Sequence, residues 1–211
     1  QYQQDPTFGM GCLYKPDDFP RYTHIRPRHK YEYVVAAVDP ASSLEEGSSF
    51  SACIVAGIIG NEIHILRAWR ERATYPRLLQ VSQRILGIYG PSDFIIENTS
   101  VGPALYHDLK TQFGGINWAK PKTDKLTHAL SYSNIINAKR VHLPKKNYDW
   151  LKPFEEELFG FPGGPFDDQV GAFNLVLTAV RQGLKTLMKV KYKKQPSLSA
   201  YPGPRHPFNL G

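Results

Sequence analysis

The stretch 33-YVVAAVD-39 decides the fold. Apolar residues dense in valine run without polar interruption into a single carboxylate, Asp39. Such a run predicts a strand buried on both faces. A carboxylate at its end lies on the rim where open α/β sheets build their sites. Downstream, 40-PASSLEEGSS-49 is a loop, and 50-FSACIVAGIIG-60 and 61-NEIHILRAWRE-71 are two strands joined as a hairpin by the turn Gly60–Glu62.

Further along, 93-DFIIEN-98 repeats the first pattern: a short apolar strand ending at an acid, Glu97. A third acidic position lies in 159-FGFPGGPFDDQVGAFNLVL-177, where Asp167 and Asp168 follow a Pro/Gly-rich loop and open an apolar helical run. A helix start accepts one capping carboxylate readily; a neighbouring second one exceeds what a cap needs.

Between these blocks, residues 74–90 predict a helix with Leu78, Leu79, Val81, Ile85, Leu86 and Ile88 on its apolar face, ended by Gly90-Pro91. Residues 101–115 predict a helix and 116–121 a strand. Residues 123–140 predict one helix opened by a Thr or Asp cap. Residues 140–146 predict a short edge strand closed by Pro144, and 148–161 a helix interrupted by Pro153. The element order, opening on a hairpin, predicts an α/β fold: a mixed sheet of an antiparallel hairpin plus parallel strands, with helices on both faces. Residues 1–30 read as a linker or irregular N-terminal arm, 31–185 as the folded domain, and 186–211 as a basic, Pro-rich flexible tail.

The net charge of +7 is unevenly placed. Residues 1–168 carry 19 Lys/Arg against 19 Asp/Glu, and the whole excess lies beyond Asp168. A basic end suits a polyanion partner, or equally a solvated tail. No run approaches the roughly 20 apolar residues of a membrane span, and residues 1–20 lack a signal-peptide profile. The chain begins at Gln1 rather than Met, as a fragment or processed form would. Cys12 and Cys53 have no metal-type spacing and read as free thiols. No G-x-x-x-x-G-K-[ST] phosphate loop is present, so no ATPase is expected of this chain.

Asp39, Glu97 and the Asp167/Asp168 pair all end strands or begin a helix beside expected clefts. Oxygen-only ligands without a His/Cys cluster favour a hard cation, Mg²⁺ or Mn²⁺, and a pair of such ions suits in-line displacement at phosphorus. Each acid also has a purely structural reading. Asp39 precedes Pro40 and suits a turn start; either Asp167 or Asp168 suits an N-cap.

Together, 34-VVAAVDPASS-43, 94-FIIENTSVG-102, 123-TDKLTHALSYSNIINAKRVHLP-144 and 161-FPGGPFDDQVGAF-173 resemble the C-terminal nuclease domain of the large terminase subunit of tailed bacteriophages. The opening 1-QYQQDP-6 resembles the segment after the ATPase domain of such proteins. The resemblance covers most of residues 1–182 and implies a ribonuclease H-like fold related to the RuvC-type resolvases. It implies that Asp39, Glu97, Asp167 and Asp168 ligate two Mg²⁺ or Mn²⁺ ions and cut concatemeric double-stranded DNA with little sequence preference. The implied partners are the ATPase domain, a small terminase subunit and the portal, and the implied place of action is the host cytoplasm. Two positions depart from the family pattern: Phe166 stands where a His is common, and Gly171 where a further Asp is common. The third ligand is therefore left to Asp167 or Asp168, with both expected to contribute and Asp168 slightly ahead by its fixed direction on the helix.

Lys120, Lys122 and Lys125, and a second group of Lys139, Arg140, Lys145 and Lys146, are candidate phosphate contacts on the site's side; any one of them equally suits a solvated surface. His128 reads as a packed histidine rather than a base. Ser42 and Ser43 have no His/Asp partners, so activated water is the expected nucleophile. Rival readings are a catalytically silent DNA- or portal-docking module and a RuvC-like junction resolvase. An actin-like nucleotide binder would need a Gly-rich phosphate turn after the first strand, which 39-DPASSLEEGSS-49 lacks.

Overall fold

The computed structural model describes residues 11–41, 50–99, 101–120 and 124–187. One sheet holds β1 (Arg21–Tyr22), β2 (Tyr33–Asp39), β3 (Ser51–Ile59), β4 (Glu62–Glu71), β5 (Asp93–Glu97), β6 (Ile116–Ala119) and β7 (Val141–Pro144), in the order β1-β7-β4-β3-β2-β5-β6. β2, β3 and β4 are an antiparallel meander. β5 and β6 join parallel on one side, β7 and β1 on the other. The helices are α1 (Tyr75–Tyr89), α2 (Gly102–Lys110), α3 (Lys125–Leu130), α4 (Ser133–Asn137), α5 (Leu151–Gly160) and α6 (Asp168–Leu187). The expected mixed sheet with helices on both faces is present. No helix among the described residues is long and apolar enough to cross a membrane.

β2 is buried at every residue because both of its faces are covered. Side chains alternate between faces along a strand. Val34, Ala36 and Val38 pack with Leu78 and Ile85 of α1 and Leu105 and Leu109 of α2. Val35 and Ala37 pack with Phe173, Val176 and Leu177 of α6 and Phe154 of α5. Asp39, next in the odd series, therefore lies on the α6 face. On β5, Phe94 and Ile96 belong to the α1/α2 side, which places Glu97 on the α6 face as well. The β2–β5 register pairs Val38 with Ile96, so the two carboxylates end neighbouring parallel strands side by side.

Five expectations about local structure change. The described part of the arm is no linker: Tyr14 and Phe19 are 2% exposed and belong to the α6-side core. Tyr14 meets Phe19 and Phe173 edge-on and stacks with Phe161. β7, expected at the sheet edge, is flanked by β1 from that arm, Leu143 N–H donating to Pro20 O and Lys145 N–H to Tyr22 O. The single helix expected over 123–140 is split into α3 and α4. There the Ser131 and Ser133 hydroxyls bond back to the carbonyls of His128 and Leu130, the competition that makes serine a poor interior helix residue. Pro153 does not interrupt α5; it sits in the first turn, where its missing N–H has no helical acceptor to lose. On α1, Ile88 is exposed rather than part of the core face. The expected tail, 186–211, lies almost wholly outside the described residues.

If residues 11–22 are part of the core, Phe19→Ala should destabilise the chain by about 3–5 kcal/mol, the range for truncating a buried phenylalanine. Urea unfolding of both chains measures this; a detached arm would show no change.

Candidate active site

Asp39 ends β2 at 9% exposure, and the sheet register brings Glu97 against it. Two carboxylates so placed cannot both stay ionised without a cation or a shared proton. Burial, and then the Glu97 carboxylate, push the Asp39 carboxyl well above the ordinary carboxylate range, while Lys125 pulls the other way. Lys125, the first residue of α3, supplies the nearby cation. Its Nζ lies 2.8 Å from Asp167 Oδ1 and 3.5 Å from Asp39 Oδ2. Burial works against the Lys125 charge, but the Asp39 and Asp167 carboxylates hold its ammonium above the usual lysine range. Its position is fixed from α6, where Asn174 Nδ2 donates to Lys125 O at 3.2 Å. The same lysine was expected among the phosphate contacts; it faces the carboxylates instead.

At the start of α6, Asp167 O accepts the first helical bond, from Gly171 N–H at 2.9 Å. Asp167 is thus the cap by backbone position, yet its side chain bonds Lys125 rather than a helix N–H. The capping role falls to α5. Glu157, 5% exposed, accepts from Gln169 N–H at 2.5 Å through Oε1 and from Gln169 Nε2 at 2.7 Å through Oε2. Arg70 Nη1 pairs with the same Oε2 at 2.6 Å, and the Arg70 guanidinium lies 4.7 Å from both the Phe50 and Phe166 ring centroids. With Glu157 serving the helix terminus, both Asp167 and Asp168 are released from capping. Asp168 is 5% exposed and takes a hydrogen bond from the Phe50 backbone; burial raises its carboxyl above the ordinary range, with Asp39 adding to the shift and Lys125 opposing it.

The four acids expected from sequence lie at one end of the sheet, where Lys125 pairs with Asp167 and Asp39. They are not drawn to ligand spacing: among the described residues, the one trio of His, Cys, Asp or Glu ligand atoms within 4.8 Å of one another lies elsewhere. The residues fit a hard divalent cation: their donors are all oxygen, and an ammonium already stands between Asp39 and Asp167. Gly171 fits the same purpose, because a Cβ at this position would overlap the Asp39 carboxylate and press on Lys125 Cε. A side chain at 171 is thus excluded by Asp39 where it stands.

The basic residues divide. Lys120 follows β6, whose Ala119 pairs with Glu97, and lies exposed at the acidic end beside the half-exposed Trp118. Lys139 and Arg140 lie at the opposite end, Arg140 Nε donating to Asn61 O in the β3–β4 turn, so the structure does not bring them to the site. Lys145 and Lys146 are exposed beyond β7. Lys122, Ser42 and Ser43 lie outside the described residues. His128 is packed, with Nε2 3.0 Å from Thr178 Oγ1 and 3.2 Å from Tyr132 Oη. Sequence reasoning missed Glu157 and Arg70. A signal for Glu157 existed: it shares the buried side of α5 with Leu151, Phe154 and Leu158, where an acid has no reason to sit unpaired.

Gly171→Ala opposes two effects. Helix propensity favours alanine by about 1 kcal/mol, while overpacking costs about 1–3 kcal/mol. Expected is a stability loss of at most about 2 kcal/mol, with loss of whatever function depends on Asp39; unfolding curves beside a metal-binding titration separate the two.

No protein-family model matches the chain, and no curated protein matches it. Solved structures do. The large terminase nuclease of thermophilic phage G20c matches with bound cobalt and with bound magnesium, at TM-scores of 0.60 and 0.59 and 16% and 15% identity, covering 80% of this chain and 97% of that one. The large terminase of a second thermophilic bacteriophage matches at TM-score 0.61 and 11% identity, over 80% of this chain and 44% of the longer protein. The human cytomegalovirus terminase nuclease domain, Mn soaked and inhibitor bound, matches at 0.58 and 10% identity, over 79% and 94%. The chain has the ribonuclease H-like fold of terminase nuclease domains.

Proposed function

We propose that this chain is a divalent-metal-dependent DNA endonuclease domain of the terminase type. The observation that carries the reading is the side-by-side placement of Asp39 and Glu97 on neighbouring parallel strand ends, facing the Asp167/Asp168 start of α6. The fold shared with terminase nucleases solved with magnesium, cobalt or manganese supports it. Asp39, Glu97 and Asp168 are the residues that would hold Mg²⁺ or Mn²⁺, with Asp167 beside them. Two such ions supply activation of the attacking water and neutralisation of charge on the leaving oxygen.

The chain's own groups prepare that chemistry. The apolar strands leave Asp39 few alternatives to a cation. Glu157 keeps the α6 terminus closed, which leaves Asp168 to face Asp39 and Lys125. Lys125 offsets part of the Asp39 and Asp167 charge. At the rim, Lys120 and Trp118 present charge and a ring to a phosphate backbone. In this reading the substrate is concatemeric double-stranded DNA, cut with little sequence preference. The partners are the packaging ATPase domain, the small terminase subunit and the portal, and the place of action is the host cytoplasm.

One observation favours a rival, a catalytically silent docking module: the Lys125 ammonium occupies the space among the carboxylates. Asp39→Asn decides between the two. Mn²⁺-dependent nicking of plasmid DNA should fall by more than the roughly 10- to 100-fold typical of losing an outer-shell partner; unaltered nicking would remove the proposed site. Lys120→Ala should weaken duplex binding across sequences and lower the slope of log K against log salt by about one, read from a salt titration.

A further inference from the structure

A second group of ligating side chains lies at the other end of the sheet. Glu62, His64 and His142 present ligand atoms that all fall within 4.8 Å of one another. Sheet geometry brings them together. Glu62 and His64 are two residues apart on β4 and so share a face. His142 on β7 is the registered partner of His64, which puts its side chain on that face too. This is the α1/α2 side, opposite to the acidic cluster. His64 stands in the row of Gly57 and Val34, and Asp39 lies five residues further along β2, about 16 Å away along the strands.

The surroundings hold the His64 ring in one orientation. Tyr22 stacks on it at 4.5 Å with an interplanar angle of 5°, and is itself locked by its hydroxyl donating to Ile65 O at 2.6 Å. Tyr31 meets the ring edge-on, with centroids 5.8 Å apart and an interplanar angle of 78°. Its ring fits because Gly57 opposite has no Cβ to overlap it, and its hydroxyl lies 3.5 Å from His64 Nδ1 while accepting from Arg26 N–H at 3.2 Å. His64 Nε2 lies 2.8 Å from Glu62 Oε2.

We propose that Glu62, His64 and His142 form a metal site for a borderline transition-metal ion, Zn²⁺ being the natural probe, which clips β7 to β4. In this site His64 Nδ1–H donates to the Tyr31 hydroxyl, and the Nε2 lone pair faces the Glu62 carboxylate with the ion between them. A ligating histidine whose other ring nitrogen is tied to a second group is the usual arrangement in metal sites. Two imidazoles and one carboxylate suit Zn²⁺ and leave a fourth position for water. The Glu62 carboxylate offsets the nearby Arg26 charge. Reaching the roughly 3.3 Å ligand spacing of a tetrahedral ion, which widens the 2.8 Å His64–Glu62 contact, falls to Glu62, whose side chain is 51% exposed, and to the partly exposed His142. A clip has a purpose here, because β4 and β7 share only two registered pairs, Ile63 with Val141 and His64 with His142.

Isothermal titration of the full chain carrying Asp39→Asn and Glu97→Gln, which disables the acidic cluster, tests this site separately from the nuclease reading. Expected is one Zn²⁺ per chain, no Mg²⁺ bound, and a Zn²⁺-dependent rise in melting temperature. Glu62→Gln or His142→Gln added to that background should weaken Zn²⁺ at least about tenfold and abolish the rise. Should His142→Gln fail to fold, Glu62→Gln, at an exposed position, decides alone. Absence of Zn²⁺ binding in the background chain, or affinity unchanged in the folded variants, overturns the site.

Discussion

The parallel pairing of β2 with β5 is the constraint on which the rest depends. Once Val38 lies beside Ile96, two apolar strands terminate together and their carboxylates share one rim. Burial of the strands sets the cost of that arrangement, because a desolvated carboxylate beside another is unfavourable unless something positive or a proton stands between them. The molecule answers from the α6 side. Lys125 enters from α3, and the α6 terminus arrives with its dipole directed at the acids.

That terminus is kept available by a division of labour between helices. A helix start has N–H groups without helical partners, and an aspartate pair placed there would ordinarily satisfy them. Glu157 on α5 satisfies Gln169 N–H instead and is itself balanced by Arg70 from β4. Hydrogen bonds to charged groups are worth about 1.5–3 kcal/mol, enough for this contact to decide which carboxylate caps the helix. Phe50 and Phe166 shield the Arg70–Glu157 pair. Phe166 thereby serves the scaffold.

Most strands were legible because their signals are local. Valine-rich runs, a two-residue turn and an acid at each strand end survive whatever the rest of the chain does. The splitting of α3 from α4 was legible in principle from Ser131 and Ser133, whose hydroxyls compete with the helix. The packing of Tyr14 and Phe19 was not, since Phe161 and Phe173 lie more than a hundred residues away and no spacing rule links them. The same holds for β1 on β7, and it explains why β7 read as an edge. Lys125 illustrates the limit most clearly: a lysine in a basic stretch looks like a phosphate contact until the fold turns it toward buried carboxylates.

From the sequence alone came the mixed sheet and the acids that stand at strand and helix ends, because hydrophobic periodicity and capping chemistry act over a few residues. Period-two alternation even implies the face each strand acid takes, once the core face is known. Only the tertiary structure decided what neutralises those acids, which residue caps α6, why position 171 admits no side chain, and that two histidines from distant segments become registered neighbours. Each of these depends on where one element's side chain meets another's, and partnership between separate elements leaves no periodic trace in the chain.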